Sequence, residues 1–219
     1  MLYNKPKIYN TPTIYKTSAG GGGGGNNGEI IKIYDQYYRV IDINGKKWLG
    51  ENLKFATDEI EVGANPGSGP GAFYYSNDYS NWAKFGLLYT WNCIPYIQNY
   101  LDNNNEGWEI PSKNDFENLM DYVGNDYKKL KINSQFAQYN NANCFWLTQD
   151  GTDDYGFGMV GGGFYEDLVA YSLRANGSLW TKDEYNSTLA AAFRMIDTTM
   201  RIDNDNKRRC YSLRLIFNG

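Results

Sequence analysis

The first regular pattern along the chain is a series of short apolar stretches with the spacing of β-strands. Residues 30–34 and 37–43 are rich in Ile, Tyr and Val, and the second stretch ends at Asn44-Gly45. Because Asn-Gly readily adopts the positive φ angles of a two-residue hairpin turn, residues 46–49 are predicted to return as the next strand. The globular part of the chain is therefore predicted to begin as a β-meander.

One later segment has the period of an amphipathic helix. Ser112 follows Pro111 and is a suitable N-cap, and Gly124 is a suitable terminator. Between them, apolar residues at helical spacing form one face, which consists of Phe116, Leu119, Met120 and Val123. We expect this helix to cover one face of a sheet.

The second half of the chain contains short strand-like stretches separated by Asn, Asp and Gly. They cover residues 144–148, 157–164, 178–181, 190–196 and 211–217. Such spacing is typical of antiparallel strands joined by long loops. Together with the helix after Pro111, it predicts an α+β fold with an antiparallel sheet, helices beside it and long loops.

The N-terminal segment differs in composition from the rest. Runs of glycine bury no apolar surface and lose much backbone entropy on ordering, so residues 1–28 are predicted to be an extended anchor and residues 29–219 one domain. Six consecutive glycines are the predicted hinge: Gly20, Gly21, Gly22, Gly23, Gly24 and Gly25. Before them a Pro-x-Ile-Tyr pattern occurs twice, and its residues are candidates for docking to a partner: Pro6, Ile8, Tyr9, Pro12, Ile14 and Tyr15.

Charge and hydropathy exclude several classes of function. A net charge of −4 over 219 residues is typical neither of a nucleic-acid-binding protein nor of a polybasic membrane-binding one. The sequence has no run of about 18 apolar residues and no apolar stretch typical of a secretory signal, so neither membrane insertion nor export by the usual route is expected. Cys93, Cys144 and Cys210 match no zinc or disulfide pattern and are expected to be buried free thiols. The basic run at 207–209 is expected to be a solvated turn.

The residues that catalysis most often requires are missing. The sequence contains no His, which excludes Ser-His-Asp and Cys-His arrangements, and no Gly-Lys-Ser/Thr follows the glycine run. Two carboxylates could still serve a glycosidase, and the densest candidates are Asp150, Asp153, Asp154, Glu166 and Asp167. Solvated loop acids are the simpler interpretation, so no enzymatic activity, catalytic residue or cofactor is predicted. The oxygen-rich segments 150–154 and 203–205 do not match an EF-hand loop, and no metal site is predicted.

Several motifs taken together resemble one known family. In chain order they are Trp48-Leu49-Gly50-Glu51-Asn52-Leu53, Gly86-Leu87-Leu88-Tyr89-Thr90-Trp91, Gly107-Trp108-Glu109-Ile110-Pro111-Ser112, Gly161-Gly162-Gly163-Phe164, Ser178-Leu179-Trp180-Thr181 and Tyr211-Ser212-Leu213-Arg214-Leu215-Ile216. This succession, over roughly residues 30–217, resembles the Fibrobacter succinogenes major paralogous domain. The resemblance implies a C-type lectin-like fold of the formylglycine-generating-enzyme branch, with a twisted sheet, flanking helices and long loops that display a binding surface.

The resemblance also implies roles for the aromatic residues of these motifs. They are expected to fill the core and pin loops rather than contact a ligand: Trp48, Tyr89, Trp91, Trp108 and Trp180. Family members often carry cysteines just before the Gly-Trp motif and in the closing strand, where this sequence has Asn105-Glu106 and Leu215. A family disulfide is therefore not expected here.

Tyr and Asn are abundant in the loops, which favours a binding surface. A Tyr ring offers apolar area and a hydroxyl at low entropic cost, and Asn adds adaptable polar contacts. The candidate ligand contacts are Tyr74, Tyr75, Tyr79, Trp82, Tyr165, Tyr171 and Tyr185. An AT-rich genome would enrich the same residue types without any function, and this alternative stays open.

The hinged tail and the missing signal favour a structural or adhesion protein of a bacteriophage virion, since phages also use the implied fold at the tips of virion proteins. Such a protein would be assembled in the host cytoplasm and lie on the virion surface. Its anchor would bind a capsid or tail protein, and its head a host-surface glycan or protein, as a homo-oligomer and by analogy with phage fibres a trimer. Two alternatives stay open: a diversity-generating-type variable ligand-binding protein rewritten within residues 165–206, and a bacterial cell-surface adhesin with an export signal upstream.

Overall fold

The computed structural model describes residues 29–63, 69–104, 107–133, 145–167 and 169–219. Within these ranges the chain forms fourteen strands: β1 (Ile30–Ile33), β2 (Gln36–Ile43), β3 (Lys46–Leu49), β4 (Glu61–Val62), β5 (Gly71–Phe73), β6 (Leu88–Thr90), β7 (Trp108–Glu109), β8 (Phe164–Glu166), β9 (Val169–Tyr171), β10 (Asn176–Glu184), β11 (Leu189–Ile196), β12 (Thr199–Asn206), β13 (Arg209–Tyr211) and β14 (Ile216–Phe217). The α-helices in the same ranges are α1 (Trp82–Phe85), α2 (Ile94–Asn104) and α3 (Lys113–Tyr122). Short 3-10 turns lie at Tyr75–Asn77, Tyr79–Asn81, Trp91–Cys93 and Tyr127–Lys129. The predicted anchor and hinge, and Cys144, lie outside the described residues.

The described strands form three sheets. The first has the order β1-β2-β3-β14-β7, and each neighbouring pair in it is antiparallel. The second is the antiparallel sheet β10-β11-β12. The third has the order β4-β5-β6-β13-β8-β9, in which β4 and β5 run parallel. Because β13 and β14 are separated by only residues 212–215, the C-terminal segment passes from the third sheet to the first.

The predicted meander and the predicted helix are both confirmed. Strands β1, β2 and β3 pair in sequence, and Asn44 and Gly45 turn the β2–β3 hairpin with φ angles of 56° and 73°. Helix α3 begins after Ser112, whose side chain accepts from the backbone N–H of Asp115 while the Asp115 carboxylate accepts from the backbone N–H of Ser112. It covers the second sheet, where the ring of Phe116 stacks on that of Phe193 at 4.9 Å between centroids.

The strand predictions for the second half of the chain are confirmed only in part. Residues 178–181 lie within β10 and residues 190–196 within β11. Residues 145–148 form no strand, and of the stretch 157–164 only Phe164 enters one. Residues 211–217 divide between β13 and β14, because residues 213–215 leave the sheet to cross the core.

The predicted fold class, α+β with a C-type lectin-like fold, is wrong. The described part of the chain is mostly β, with three sheets that curl as a half-barrel and lie closer to a β-sandwich. The physical reason is that side chains from different sheets fill the interior together, so the helices cover only parts of it. Of the helices described, α1 has 4 residues, α2 has 11 and α3 has 10.

Two apolar clusters form most of the interior. One joins the first sheet to α2 and the inner face of β10, with Tyr38, Leu49, Ile97, Trp180 and Tyr211 among its members. The other lies between the first sheet, α3 and the second sheet, and includes Trp48, Phe116, Phe157, Phe193 and Ile216. Burial of apolar area at about 25 cal/mol per Å² makes these clusters the main source of stability.

The thiols of Cys93 and Cys210 are buried and free, as predicted. Burial raises the pKa of Cys93 to about 11, although hydrogen bonds with Thr90 and Gly71 act in the opposite direction. Burial also raises the pKa of Cys210, so both thiols are protonated at neutral pH.

None of the helices in the described ranges combines the length and the apolar character needed to cross a membrane.

A fully buried arginine stands where the two apolar clusters meet. Arg214 lies between β13 and β14 with no exposed surface. Its guanidinium donates to Asn52 Oδ1 at 2.6 Å and to the carbonyl of Phe157, and it lies 4.2 Å from the centroid of the Phe157 ring. Asn52 in turn donates to the carbonyl of Phe85 at 3.0 Å. One side chain thus holds together segments that are more than a hundred residues apart in sequence.

Burial lowers the pKa of Arg214 to about 9, while the nearby carboxylates of Glu51 and Asp153 raise it. Glu51 is itself paired with Arg39, with 2.5 Å between Nε and Oε1. The buried cation is therefore compensated by hydrogen bonds and by nearby negative charge. Such a site tolerates removal of a partner poorly, because the remaining polar groups stay buried.

We expect Arg214→Ala to lower the free energy of unfolding by about 3–5 kcal/mol, since it leaves the Asn52 carboxamide and the Phe157 carbonyl without their donor. Urea unfolding followed by Trp fluorescence measures the change. The matched control is Arg208→Ala, which removes an exposed ion pair with Asp167 and should cost at most about 1 kcal/mol. Equal losses in the two variants would contradict a central role for the buried guanidinium.

Candidate functional site

Three of the predicted ligand contacts come together on the surface as an aromatic platform, which consists of Tyr74, Tyr79 and Trp82. The ring of Tyr79 stacks on that of Trp82 with 5.5 Å between centroids and 13° between planes. Tyr74 meets Tyr79 edge to face at 5.3 Å. Half of the surface of Tyr79 is exposed, so this ring presents apolar area to solvent.

The backbone that carries the platform is held by its own polar groups. The backbone N–H of Asn77 donates to the carbonyl of Tyr74 at 2.8 Å. The side-chain amide of Asn81 donates to the backbone carbonyl of Tyr75 at 3.0 Å. Ser76 and Asn77 have φ angles of 55° and 52°, which cost an L-residue about 1–2 kcal/mol each. Backbone strain of this kind is often found at binding sites, where the surrounding contacts enforce it.

The platform is also tied to the core. The indole N–H of Trp82 donates to the carbonyl of Lys54 at 2.9 Å, and the backbone N–H of Lys54 donates to the hydroxyl of buried Tyr38 at the same distance. Burial, together with the neighbouring Tyr79, raises the pKa of Tyr74. The platform is therefore a preformed surface rather than a loose loop.

A second aromatic pair lies on the β8–β9 hairpin. Tyr171 stacks on Phe164 with 5.3 Å between centroids, and 42% of Tyr171 is exposed. The guanidinium of Arg209 lies 5.2 Å from the Phe164 centroid and pairs with Glu166 at 3.2 Å. An exposed ring thus stands beside a hydrogen-bonding carboxylate and guanidinium.

The remaining predicted contacts occupy different positions. Tyr165 is buried against Phe73, so its ring is not accessible to a ligand. Tyr75 turns inward, where its ring meets Tyr165 at 6.4 Å and its hydroxyl accepts from the backbone N–H of Leu173 at 3.4 Å. These two residues connect the platform to the β8–β9 hairpin. Tyr185 lies at the β10–β11 turn and is 64% exposed.

Three of the five acidic residues that were weighed for glycosidase chemistry form ion pairs. Asp150 accepts from the buried Lys131 at 2.8 Å, Glu166 pairs with Arg209, and Asp167 pairs with Arg208. Burial alone would raise the pKa of Asp150, but hydrogen bonds from Lys131 and Tyr127 outweigh it and lower this pKa. Within the described ranges, no group of three or more His, Cys, Asp or Glu side chains could hold a metal ion.

The basic run at 207–209 begins in a turn, as expected, and Arg208 is exposed there, but Lys207 and Arg209 are held by contacts with other strands. Lys207 pairs with Glu184 and lies 4.3 Å from the centroid of the Trp91 ring. Arg209 pairs with Glu166 and also with Asp205, at 2.5 Å between Nη1 and Oδ1. The two members of each ion pair lie in different strands or turns, and only the tertiary fold brings them together. A local pattern in the sequence therefore does not predict these pairs.

Asp205 is the centre of this polar network. Its carboxylate accepts from Arg194 at 2.9 Å, from Arg209 and from the hydroxyl of Tyr211. Arg194 and Asp205 belong to the second sheet, whereas Arg209 and Tyr211 belong to the third. The network therefore joins the two sheets beneath the β8–β9 hairpin.

The fold and the surface define a mostly β domain with clustered aromatic side chains on a preformed loop. The chain belongs to the Fibrobacter succinogenes major domain family, whose model matches residues 41–216. No curated protein and no solved structure shows a significant match to the chain.

The family motifs are used chiefly in the interior. Trp48, Tyr89, Trp108 and Trp180 are buried, in agreement with the core role that the resemblance implied. Trp91 is only half-buried and packs under Lys207. The motif segments at 50–53 and 213–215 run side by side, with backbone hydrogen bonds from Leu53 to Leu213 and from Leu49 to Leu215.

One acidic side chain beside Arg214 has a strongly perturbed pKa. Asp153 accepts from the backbone N–H of Gly158 at 2.7 Å. Burial raises the pKa of Asp153 to about 6, although this hydrogen bond and the charges of Arg39 and Arg214 lower it. Its contacts pin the loop that carries Phe157, which makes it a structural group.

Because the folded state raises the pKa of Asp153 above its unfolded value of 3.8, the folded state binds the proton more tightly. The contribution of Asp153 to the free energy of unfolding should therefore grow by about 2 kcal/mol as the pH falls from 7 to 4. Urea unfolding of the wild type and of Asp153→Asn at several pH values isolates this contribution by difference. Asp154→Asn, at the exposed neighbour, is the control, and a pH-independent difference for Asp153→Asn would contradict the shift.

Proposed function

We propose that this protein is an adhesion protein of a bacteriophage virion, with residues 29–219 as a head that binds a carbohydrate or protein of the host surface. The observation that carries the proposal is the aromatic platform, in which the half-exposed ring of Tyr79 is held on Trp82 by a hydrogen-bonded loop. Preorganised aromatic rings lose little conformational entropy when a ligand binds.

Carbohydrate is the ligand class that this surface suits best. The apolar face of a sugar ring packs on an exposed aromatic ring, and its hydroxyls require nearby donors and acceptors. The hydroxyls of Tyr74 and Tyr79 meet this need at the platform. Glu166 and Arg209 meet it beside Tyr171, and both of these side chains are partly exposed.

Residues 1–28 are assigned to attachment in this proposal. The repeated Pro-x-Ile-Tyr pattern offers two similar docking elements for a capsid or tail protein, and the six glycines allow the head to reorient. Several heads on one particle, as a homo-oligomer, turn weak single contacts into firm attachment by avidity. The protein is then located on the virion surface after assembly in the host cytoplasm.

The variable ligand-binding protein is the second candidate, and one observation favours it. Residues 165–206 expose Val169, Tyr171 and Tyr185, which are side chains that can change without loss of the core. The same segment also contributes Trp180 and Phe193 to the interior, so rewriting would have to spare these positions. A bacterial cell-surface adhesin would use the same face with a different attachment.

The binding face is tested with the full chain on intact host cells and on a panel of bacterial surface polysaccharides. We expect Tyr79→Ala to weaken binding about ten-fold, because the stacking surface is removed. Tyr37→Ala is the control, since Tyr37 is an exposed tyrosine on β2 that is not part of the platform. Equal binding by both variants would rule out the platform as the contact surface.

Attachment is tested separately with the peptide of residues 1–27 and a scrambled peptide of the same composition. We expect the native peptide to capture a capsid or tail protein from disrupted phage particles, identified by mass spectrometry. Deletion of residues 1–25 should leave cooperative unfolding of the head unchanged and abolish incorporation into virions. Incorporation of the truncated chain at the wild-type level would refute the anchor.

A further inference from the structure

In the part of the chain that the structure describes, strand β12 lies at an edge of the second sheet. It pairs with β11 along its whole length, from Thr199 opposite Ile196 to Asn206 opposite Leu189, without a register shift. Among the described residues, no strand pairs with its other side. Such an edge presents unpaired backbone N–H and C=O groups to any strand that fits.

Charged side chains on β12 disfavour pairing with most other strands, but they are complementary to a second copy of β12 itself. Arg201 is half-exposed and pairs with Asp203 on its own strand, at 2.8 Å between Nε and Oδ2. The two residues lie on the same face of β12 because they are two positions apart. Charges of a single sign would repel a second copy of the strand, whereas an Arg and an Asp can exchange partners with one.

The two faces of β12 limit the possible registers. Met200 and Ile202 pack against the apolar cluster under α3, whereas Arg201 and Asp203 lie on the opposite face. A second copy of β12 must match these faces, so registers displaced by one residue are excluded. Among symmetric antiparallel pairings, an axis at Arg201 or at Asp203 would place that charge opposite its own copy. An axis at Ile202 places Arg201 opposite Asp203 on both sides.

We propose that β12 is a self-association edge, which pairs antiparallel with β12 of a second copy about a two-fold axis at Ile202. The pairing continues the second sheet across two chains and forms two Arg201–Asp203 pairs between them. The occupant of the edge is thus a second copy of this chain. A two-fold contact makes dimers and does not itself build the trimer expected from phage fibres, and it does not depend on the identity of the ligand.

The test uses the full chain in native mass spectrometry and sedimentation velocity over a range of concentrations. We expect a concentration-dependent dimer in the wild type. Arg201→Asp leaves only acidic residues at the paired positions and Asp203→Lys leaves only basic ones, so each variant alone should dimerise at least ten-fold more weakly. A mixture of the two variants should form a 1:1 heterodimer, because every paired position is then complementary.

Two controls separate self-association from folding. Lys32→Asp makes a similar charge change on the exposed edge strand β1, where Lys32 pairs with Asp35, and should leave the dimer unchanged. Thermal unfolding of each variant checks that the domain is folded. Independently of charge, Ile202→Cys should form a disulfide-linked dimer under mild oxidation, since the two cysteines would face each other across the axis, whereas Met200→Cys should not.

Three results would overturn the proposal. The first is a wild-type chain that stays monomeric or purely trimeric. The second is a dimer that neither charge variant weakens. The third is a mixture of the charge variants that forms no heterodimer, together with an Ile202→Cys variant that forms no disulfide-linked dimer.

Discussion

The buried guanidinium of Arg214 is the constraint on which the rest of the domain depends. A charge without exposed surface is tolerated only when hydrogen bonds and nearby opposite charge compensate for its lost hydration. Here the acceptors are Asn52 and the carbonyl of Phe157, and Asn52 also binds the carbonyl of Phe85. These contacts bring the segments around residues 52, 85 and 157 together at the segment between β13 and β14.

The aromatic platform is attached to the same part of the chain as Asn52. Leu53 pairs with Leu213 beside the arginine, and the next residue, Lys54, accepts the indole N–H of Trp82. Lys54, which binds the platform, therefore directly follows Leu53, whose backbone pairs with the segment that carries Arg214. A second polar centre, Asp205, joins the sheets beneath the Tyr171 pair. The Tyr171 pair thus lies beside an ionic network, whereas the platform is hydrogen-bonded to the backbone of Lys54, and both arrangements give loops with polar sequences a defined shape.

The local parts of the fold could be predicted because their determinants are close in sequence. Asn44-Gly45 specifies its hairpin, and Ser112 with Asp115 specifies the start of α3. The fold class could not be obtained in this way. It depends on how many strands pair and on which faces they bury, and β13 and β14 are joined to partners far away in the chain. Both Tyr79 and Tyr165 lie next to loops, and the sequence could not show that Tyr79 is exposed whereas Tyr165 is buried.

The sequence by itself determined the family, the meander, the helix after Pro111 and the set of aromatic residues from which a surface could be made. Local propensity and motif order carry that information. Only the tertiary structure decided that the domain is mostly β, that Asp150, Glu166 and Asp167 pair with cations, and which tyrosines reach solvent. The reason is that charge pairing and burial depend on contacts between distant segments, and no period along the chain encodes these contacts.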